Sequence, residues 1–155
     1  MLANLPILST HVLSMDDAAI EKVRMLETMA RELPQLVIPT EHLLHAGMYC
    51  RTVHIPAGAM ITGALIEIAT ILIVNGDVTM YANDQANNLT GYNVFAASAH
   101  RKQAFVAISD CSISMLFPST AKSVEEAEEQ FTSEGHNLMS RHLSEHNKVV
   151  ITGEN

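Results

Sequence analysis

A small antiparallel β-barrel or sandwich, flanked by helices at both ends, is the fold the sequence predicts. Three observations carry that expectation. Apolar residues alternate roughly in twos through residues 36–118, Gly, Pro and Asn turn signals punctuate the same stretch at short intervals, and the periodicity is helical on either side. With 155 residues the chain has the size of one domain. Its 48% apolar and 17% charged residues are the balance of a folded protein rather than a disordered one. There is no Trp and aromatics make up 5%, so core volume must come largely from aliphatic residues and the nine Met.

The first segment, residues 1–35, centres on a helix predicted over 14–33. Ser14 is placed to cap it, and Asp16 and Asp17 fall in the first turn, where the helix dipole favours negative charge. Ile20, Val23, Leu26, Met29, Ala30 and Leu33 recur at helical spacing as one apolar stripe, and Pro34 ends it. The second segment, 36–118, holds the strands. Met48 to Ile55 alternates as a half-buried strand does, and Pro56-Ala57-Gly58 makes a turn. Met60 to Glu67 and Ile71 to Val74 read as strands, with Asn75-Gly76-Asp77 as a hairpin signal before Val78 to Tyr81. Asn83 to Asn88 reads as a polar loop. Tyr92 to Phe95, Gln103 to Ile108 and Ser112 to Phe117 complete the set. In the last segment, 119–155, Ser123-Val124-Glu125-Glu126 is a capping box opening a helix. Gly135 should break it, a second helical piece runs from about Asn137 to His146 with Leu138 and Leu143 inward, and Val149 to Thr152 is suited to an added strand.

Charge and composition narrow the functions. The net charge of -8 argues against a nucleic-acid binder and against docking on an anionic membrane. Cys50 and Cys111 have neither disulfide density nor a metal spacing. The start, Met-Leu-Ala-Asn-Leu-Pro, lacks the features of a signal peptide, and Ala64 to Val74 is too short and too interrupted to span a bilayer. The Asn88-Leu89-Thr90 sequon then carries no meaning, and a cytoplasmic setting is expected.

Ile55-Pro56-Ala57-Gly58 and Val74-Asn75-Gly76-Asp77-Val78, followed by Gly91-Tyr92-Asn93-Val94-Phe95, resemble the two halves of a cupin. With His42, Gly47, Tyr49, Arg51 and Thr62-Gly63, residues 42–118 are similar to small single-domain cupins of phage and prophage genomes. The resemblance implies a cupin-type antiparallel β-barrel, a double-stranded β-helix. It also implies two metal-binding motifs, whose imidazoles and carboxylate would point into the lumen from alternate strand positions. Both are degenerate. Counting from Gly63 puts Ala69 and Ile71 at the histidine positions, and the second motif, counted from Gly91, has Ala97, Ala99, Lys102 and Val106 in place of its Pro, Gly, His and Asn. A protonated lysine is not a metal ligand.

The residues left to form a pocket are Arg51, His54, Glu67, His100 and Lys102. A rearranged metal site of His54, His100 and Glu67 is the minority reading, and His142 and His146, four apart on a helix, read as a solvated face. Lys102 either pairs with Glu67 inside the lumen or rests at the barrel mouth with its ammonium in water. Arg51 either salt-bridges a carboxylate or faces a ligand. Lys102, Arg51 and His100 together would make the lumen prefer anions. No nucleophile elbow, phosphate loop or activated cysteine is present. The expected function is therefore that of a metal-less, non-enzymatic cupin-like binding or interaction protein of phage or prophage origin. It would need no cofactor, and it would form a homodimer or higher oligomer and take a host or phage protein as a further partner. The alternatives are a small-molecule enzyme or sensor with a rearranged site, and a structural component of phage assembly.

Overall fold

Alternation along the strands sets the layers. In Cys111–Pro118, residues Cys111, Ile113, Met115 and Phe117 are buried while the residues between them face outward. The computed structural model describes residues 10–142 and 144–155. Its strands are β1 (His11–Val12), β2 (Thr40–His45), β3 (Met48–Ile55), β4 (Met60–Thr62), β5 (Thr70–Asn75), β6 (Val78–Ala82), β7 (Gln85–Leu89), β8 (Tyr92–Ala97), β9 (Ala104–Ala107), β10 (Cys111–Pro118) and β11 (Lys148–Ile151). The helices are α1 (Asp17–Ala30), α2 (Val124–Phe131) and α3 (Met139–His142), with single 3-10 turns at Gly135–Asn137 and Ser144–His146.

Seven strands form one sheet in the order β1-β8-β5-β10-β3-β2-β11, and four form a second in the order β4-β9-β6-β7. Within them β3-β10-β5-β8 and β4-β9-β6-β7 are two four-stranded antiparallel sheets fed by a chain that crosses repeatedly between them. That order is a jelly roll, the double-stranded β-helix of the expected fold class. The large sheet is too wide for its partner. Its β5 and β8 side packs against the small sheet through Leu72, Val74, Phe95, Val78 and Phe105. Its β2 and β3 side is covered by the C-terminal helices through Leu44, Tyr49, Phe117, Phe131 and Leu138. The tail forms the added strand, β11, parallel to β2.

Several expectations are corrected. Asn75-Gly76-Asp77 is a corner between sheets, since β5 and β6 belong to different ones. Gly76 has φ +127, and a Cβ there would sit 2.7 Å from that of Cys111, so the corner requires glycine. The true hairpin lies in the stretch read as a loop: Asn83 and Asp84 both take positive φ, 50 and 65, and join β6 to β7 in the manner of a primed turn. Of Met60 to Glu67 only Met60–Thr62 is strand. Beyond it the chain leaves the ladder and runs irregularly beside residues 101–103, with Gly63 N–H donating to Gln103 O and Ile66 N–H to Arg101 O.

α1 is shorter than predicted and is capped by Asp16, whose carboxylate accepts from Ala19 N–H at 2.8 Å. Ser14 instead donates to Ala99 O. Ala19, Ile20 and Val23 are buried, whereas Met29 near the end of the helix and Leu33 beyond it are exposed, because the apolar packing of α1 comes from its first turns and its later part touches the barrel through Glu27. The second C-terminal helical piece is broken into α3 and two 3-10 turns. Leu143, expected to point inward, lies outside the described residues, as does the start of the first segment, residues 1–9.

Candidate functional site

The seam where the small sheet gives way to the C-terminal helices encloses a cavity of about 610 Å³. Its apolar wall comes from core-facing positions, among them Val53 on β3, Leu72 on β5, Phe105 on β9 and Ile113 and Met115 on β10. The end of α1 and the segment after it, including Glu27, Leu33 and Leu36, complete the lining. A pocket of this size and apolar character is typical of small-molecule sites. Its charged lining is unusual: four cationic side chains, Arg31, Arg51, Arg101 and Lys102, against two carboxylates, Glu27 and Glu134.

Strand parity puts Arg51 inside, between Tyr49 and Val53 on the inner face of β3. Its Nη1 donates to Glu128 Oε2 at 2.9 Å and its Nη2 to Ser140 Oγ at 3.1 Å. Glu128, on the buried face of α2, also accepts from Ser140 Oγ at 2.8 Å and from Arg141 Nε at 2.9 Å. Burial alone would raise the Glu128 carboxyl, but the hydrogen bonds from Arg141 and Ser140 and the charge of Arg51 outweigh it and hold the group below the ordinary carboxylate range. The Arg51 guanidinium lies 5.7 Å from the Phe131 ring centroid. This cluster binds the C-terminal helices to the sheet.

His42 borders it. The ring is buried, its Nδ1 lies 2.7 Å from the Tyr49 hydroxyl, and its Nε2 has no hydrogen-bond partner among the described residues. Burial, reinforced by the charge of Arg51, pushes the imidazole down to about 4, so it is neutral at pH 7. Burial pushes the Tyr49 phenol up to about 12.

Lys102 and Arg101 are each 1% exposed. Lys102 therefore does not reach water, and its partner is not Glu67. Its Nζ donates to Gly63 O at 2.8 Å and to Glu27 Oε2 at 3.1 Å. Glu27 is held further by Thr62 and Arg31, so α1 supplies the counter-charge. Arg101 has none. Its Nη1 donates to Ser98 O at 2.7 Å and Ile68 O at 3.3 Å, and its Nη2 to Thr70 Oγ1 at 2.7 Å and Met115 Sδ at 3.8 Å. Its Nε has no acceptor among the described residues. Burial pushes the guanidinium down to about 10, still protonated at neutral pH. Gln103, buried in the same lining, likewise has its Nε2 without an acceptor.

Of the five residues singled out by sequence, Arg51 and Lys102 line the cavity and the other three do not. His54 is exposed near the end of β3 and pairs with Glu41 at 3.0 Å. Glu67 is exposed, and its carboxylate accepts from Ser133 N–H. His100, at φ +64, is exposed beside Asp17. The rearranged His54–His100–Glu67 site is thus dispersed over the surface, because two of the three lie in connections and His54 has the outward parity. Sequence reading passed over Arg101, Gln103 and Glu27; Glu128 lies in the acidic run Glu125, Glu126, Glu128 and Glu129, which reads as a solvated helix face, yet it is buried. The adjacent basic pair Arg101-Lys102 in a small and apolar stretch was the available signal.

The metal implied by the resemblance does not fit these residues. The lining holds no histidine, and its carboxylates already face cations, Glu27 with Lys102 and Glu134 with Arg24 at 2.6 Å. The old motif positions Ala69 and Ile71 face outward. Among the described residues no three His, Cys, Asp or Glu side chains gather as a metal would need.

No family model matches the chain, and no curated protein matches it. Solved structures do. A cupin superfamily protein from Desulfitobacterium hafniense is 13% identical over 56% of this chain and 82% of its own, with a TM-score of 0.44. KdgF from Halomonas sp. is 18% identical over 57% of this chain and 88% of its own, with a TM-score of 0.43. Salicylate 1,2-dioxygenase from Pseudoaminobacter salicylatoxidans is 14% identical over 74% of this chain and 37% of its own, with a TM-score of 0.45. The chain is mainly β, with the double-stranded β-helix topology described above and helices toward both ends.

Proposed function

We propose that the protein is a non-enzymatic, metal-independent binding protein that holds a small organic anion inside its barrel. The observation that carries this reading is the cavity itself, apolar in wall, with cations outnumbering carboxylates in its lining. Both lining carboxylates are engaged in ion pairs, which leaves neither as a free general base. A phage or prophage origin, and a phage or host protein as partner, rest on the sequence resemblance alone. Self-association is supported by β11, which ends the large sheet with Val149, Val150 and Ile151 all exposed.

Native mass spectrometry of protein purified without a His tag tests the reading in one measurement. The expected spectrum shows an oligomer rather than a 16.9 kDa monomer. It also shows no stoichiometric metal, and added organic anions give adducts that survive desolvation. One metal ion per chain, or chemical conversion of the bound anion, would overturn the reading.

A further inference from the structure

We propose that Arg101, assisted by Gln103, is the seat for the carboxylate of a monoanionic ligand with an apolar body. The proposal rests on the binding reading above and names its ligand class. A guanidinium has five N–H donors, and a carboxylate is taken best on an edge with two parallel N–H groups, as a bidentate pair. In Arg101 the Nη1 side is used by two backbone carbonyls. The Nε donor has no acceptor, and Nη2 divides its hydrogens between Thr70 and the thioether of Met115, which is a weak acceptor. The Nε–Nη2 edge is thus the least satisfied one, and a carboxylate entering from the cavity would take it by displacing the Met115 thioether. Gln103 Nε2 is a second donor of the same lining without an acceptor among the described residues.

Charge fixes the ligand's valence. Arg51 faces Glu128 and Lys102 faces Glu27; Arg31, which also reaches Glu27, is exposed to water, and Arg101 alone is a buried cation with no carboxylate among the described residues. A buried cation without a counter-charge is costly, and one anionic group would compensate it. A dianion such as phosphate would leave a second buried charge unmatched. The wall formed by Leu72, Phe105, Ile113 and Met115 suits a hydrocarbon chain or an aromatic ring rather than a sugar or a peptide.

The test is calorimetric titration of the full chain with octanoate, phenylacetate, octanamide and inorganic phosphate, repeated on Arg101→Met, Arg101→Lys and, as a control away from the cavity, Lys22→Met, whose ammonium pairs with Asp84 at the surface. Octanoate and phenylacetate should bind the wild type about tenfold or more tightly than octanamide, and phosphate should bind least. Arg101→Met should abolish the preference for octanoate over octanamide, Arg101→Lys should keep part of it, and Lys22→Met should leave it in place. Octanamide binding as tightly as octanoate would overturn the carboxylate seat while leaving a binding cavity. The preference persisting in Arg101→Met would do the same. No heat or stabilisation with any organic probe would overturn the binding reading as well. The wild-type comparison of octanoate with octanamide needs no variant, so it decides the matter even where Arg101→Met fails to fold.

Discussion

Two buried arginines line one cavity and live under opposite electrostatic conditions. Around Arg51 each cation has a carboxylate: Glu128 stands between Arg51 and Arg141, Glu129 reaches Arg141 at 4.0 Å, Ser140 bridges, and the cluster joins β3 to α2 and α3. Around Arg101 the acceptors are carbonyls, a hydroxyl and a sulfur, and among the described residues no carboxylate pairs with it. Residue type and the cavity they line are the same, although Arg51 stands on β3 and is largely buried while Arg101 lies in the connection from β8 to β9 and is fully buried. The counter-charge separates them. A closed ion cluster belongs to the architecture, whereas an open one is half of an interaction whose other half comes from outside.

The largest effect should come from breaking the closed cluster. Glu128→Ala leaves Arg51 buried without a carboxylate and should cost about 3–5 kcal/mol in urea unfolding. Adding Arg51→Met should recover part of that loss, since the orphaned charge goes with it. A loss below about 1 kcal/mol would mean that the C-terminal helices dock by apolar packing alone.

The next effect reads the same cluster through pH. His42 titrates near 4 when folded and at about 6.5 when unfolded, so between these values the unfolded chain binds the extra proton. Stability contributed by the neutral ring is present above the unfolded value and is lost as pH falls below it. From pH 7 to pH 5 the loss should be about 2 kcal/mol, and His42→Gln should flatten it. An equal slope in both proteins would remove His42 as its source.

Smaller again is the stability effect predicted at the open site. Arg101→Met removes an unmatched buried cation but frees the acceptors Ser98 O, Ile68 O and Thr70 Oγ1. These terms oppose each other, and the net change should stay within about 1.5 kcal/mol in either direction. A loss as large as that of Glu128→Ala would make Arg101 a structural brace of the same kind as Arg51.

The contrast between the two sites also marks what the sequence can express. Strand positions were legible where apolar residues recur in twos, roughly in β3 and cleanly in β10, but whether Arg51 meets a carboxylate or a ligand stayed open. Lys102 was legible because a motif count lands on it. The counter-charges were not. Glu27 lies on α1 and Glu128 on α2, far along the chain from Lys102 and Arg51, and no local pattern couples them. The stretch from Gly63 to Glu67 looked like strand because it is apolar, but its backbone N–H groups donate to Arg101 O, Gln103 O and Phe131 O outside any ladder. The hairpin at Asn83-Asp84 was hidden by its polar side chains, although two positive-φ turn residues are the signature of that turn. A missing partner, the property that distinguishes Arg101, can be seen only once the whole neighbourhood is assembled.

The difference between the closed and the open arginine is tested most directly by following both Nε–H groups in isotope-labelled protein by NMR while octanoate is added. Resonances would be assigned with Arg101→Lys and Arg51→Lys. The Arg101 Nε–H signal should move downfield and become protected from solvent exchange as the carboxylate takes its open edge, while the Arg51 signal stays in place. Movement at Arg51 with none at Arg101, or no movement at either while octanoate binds, would contradict the account.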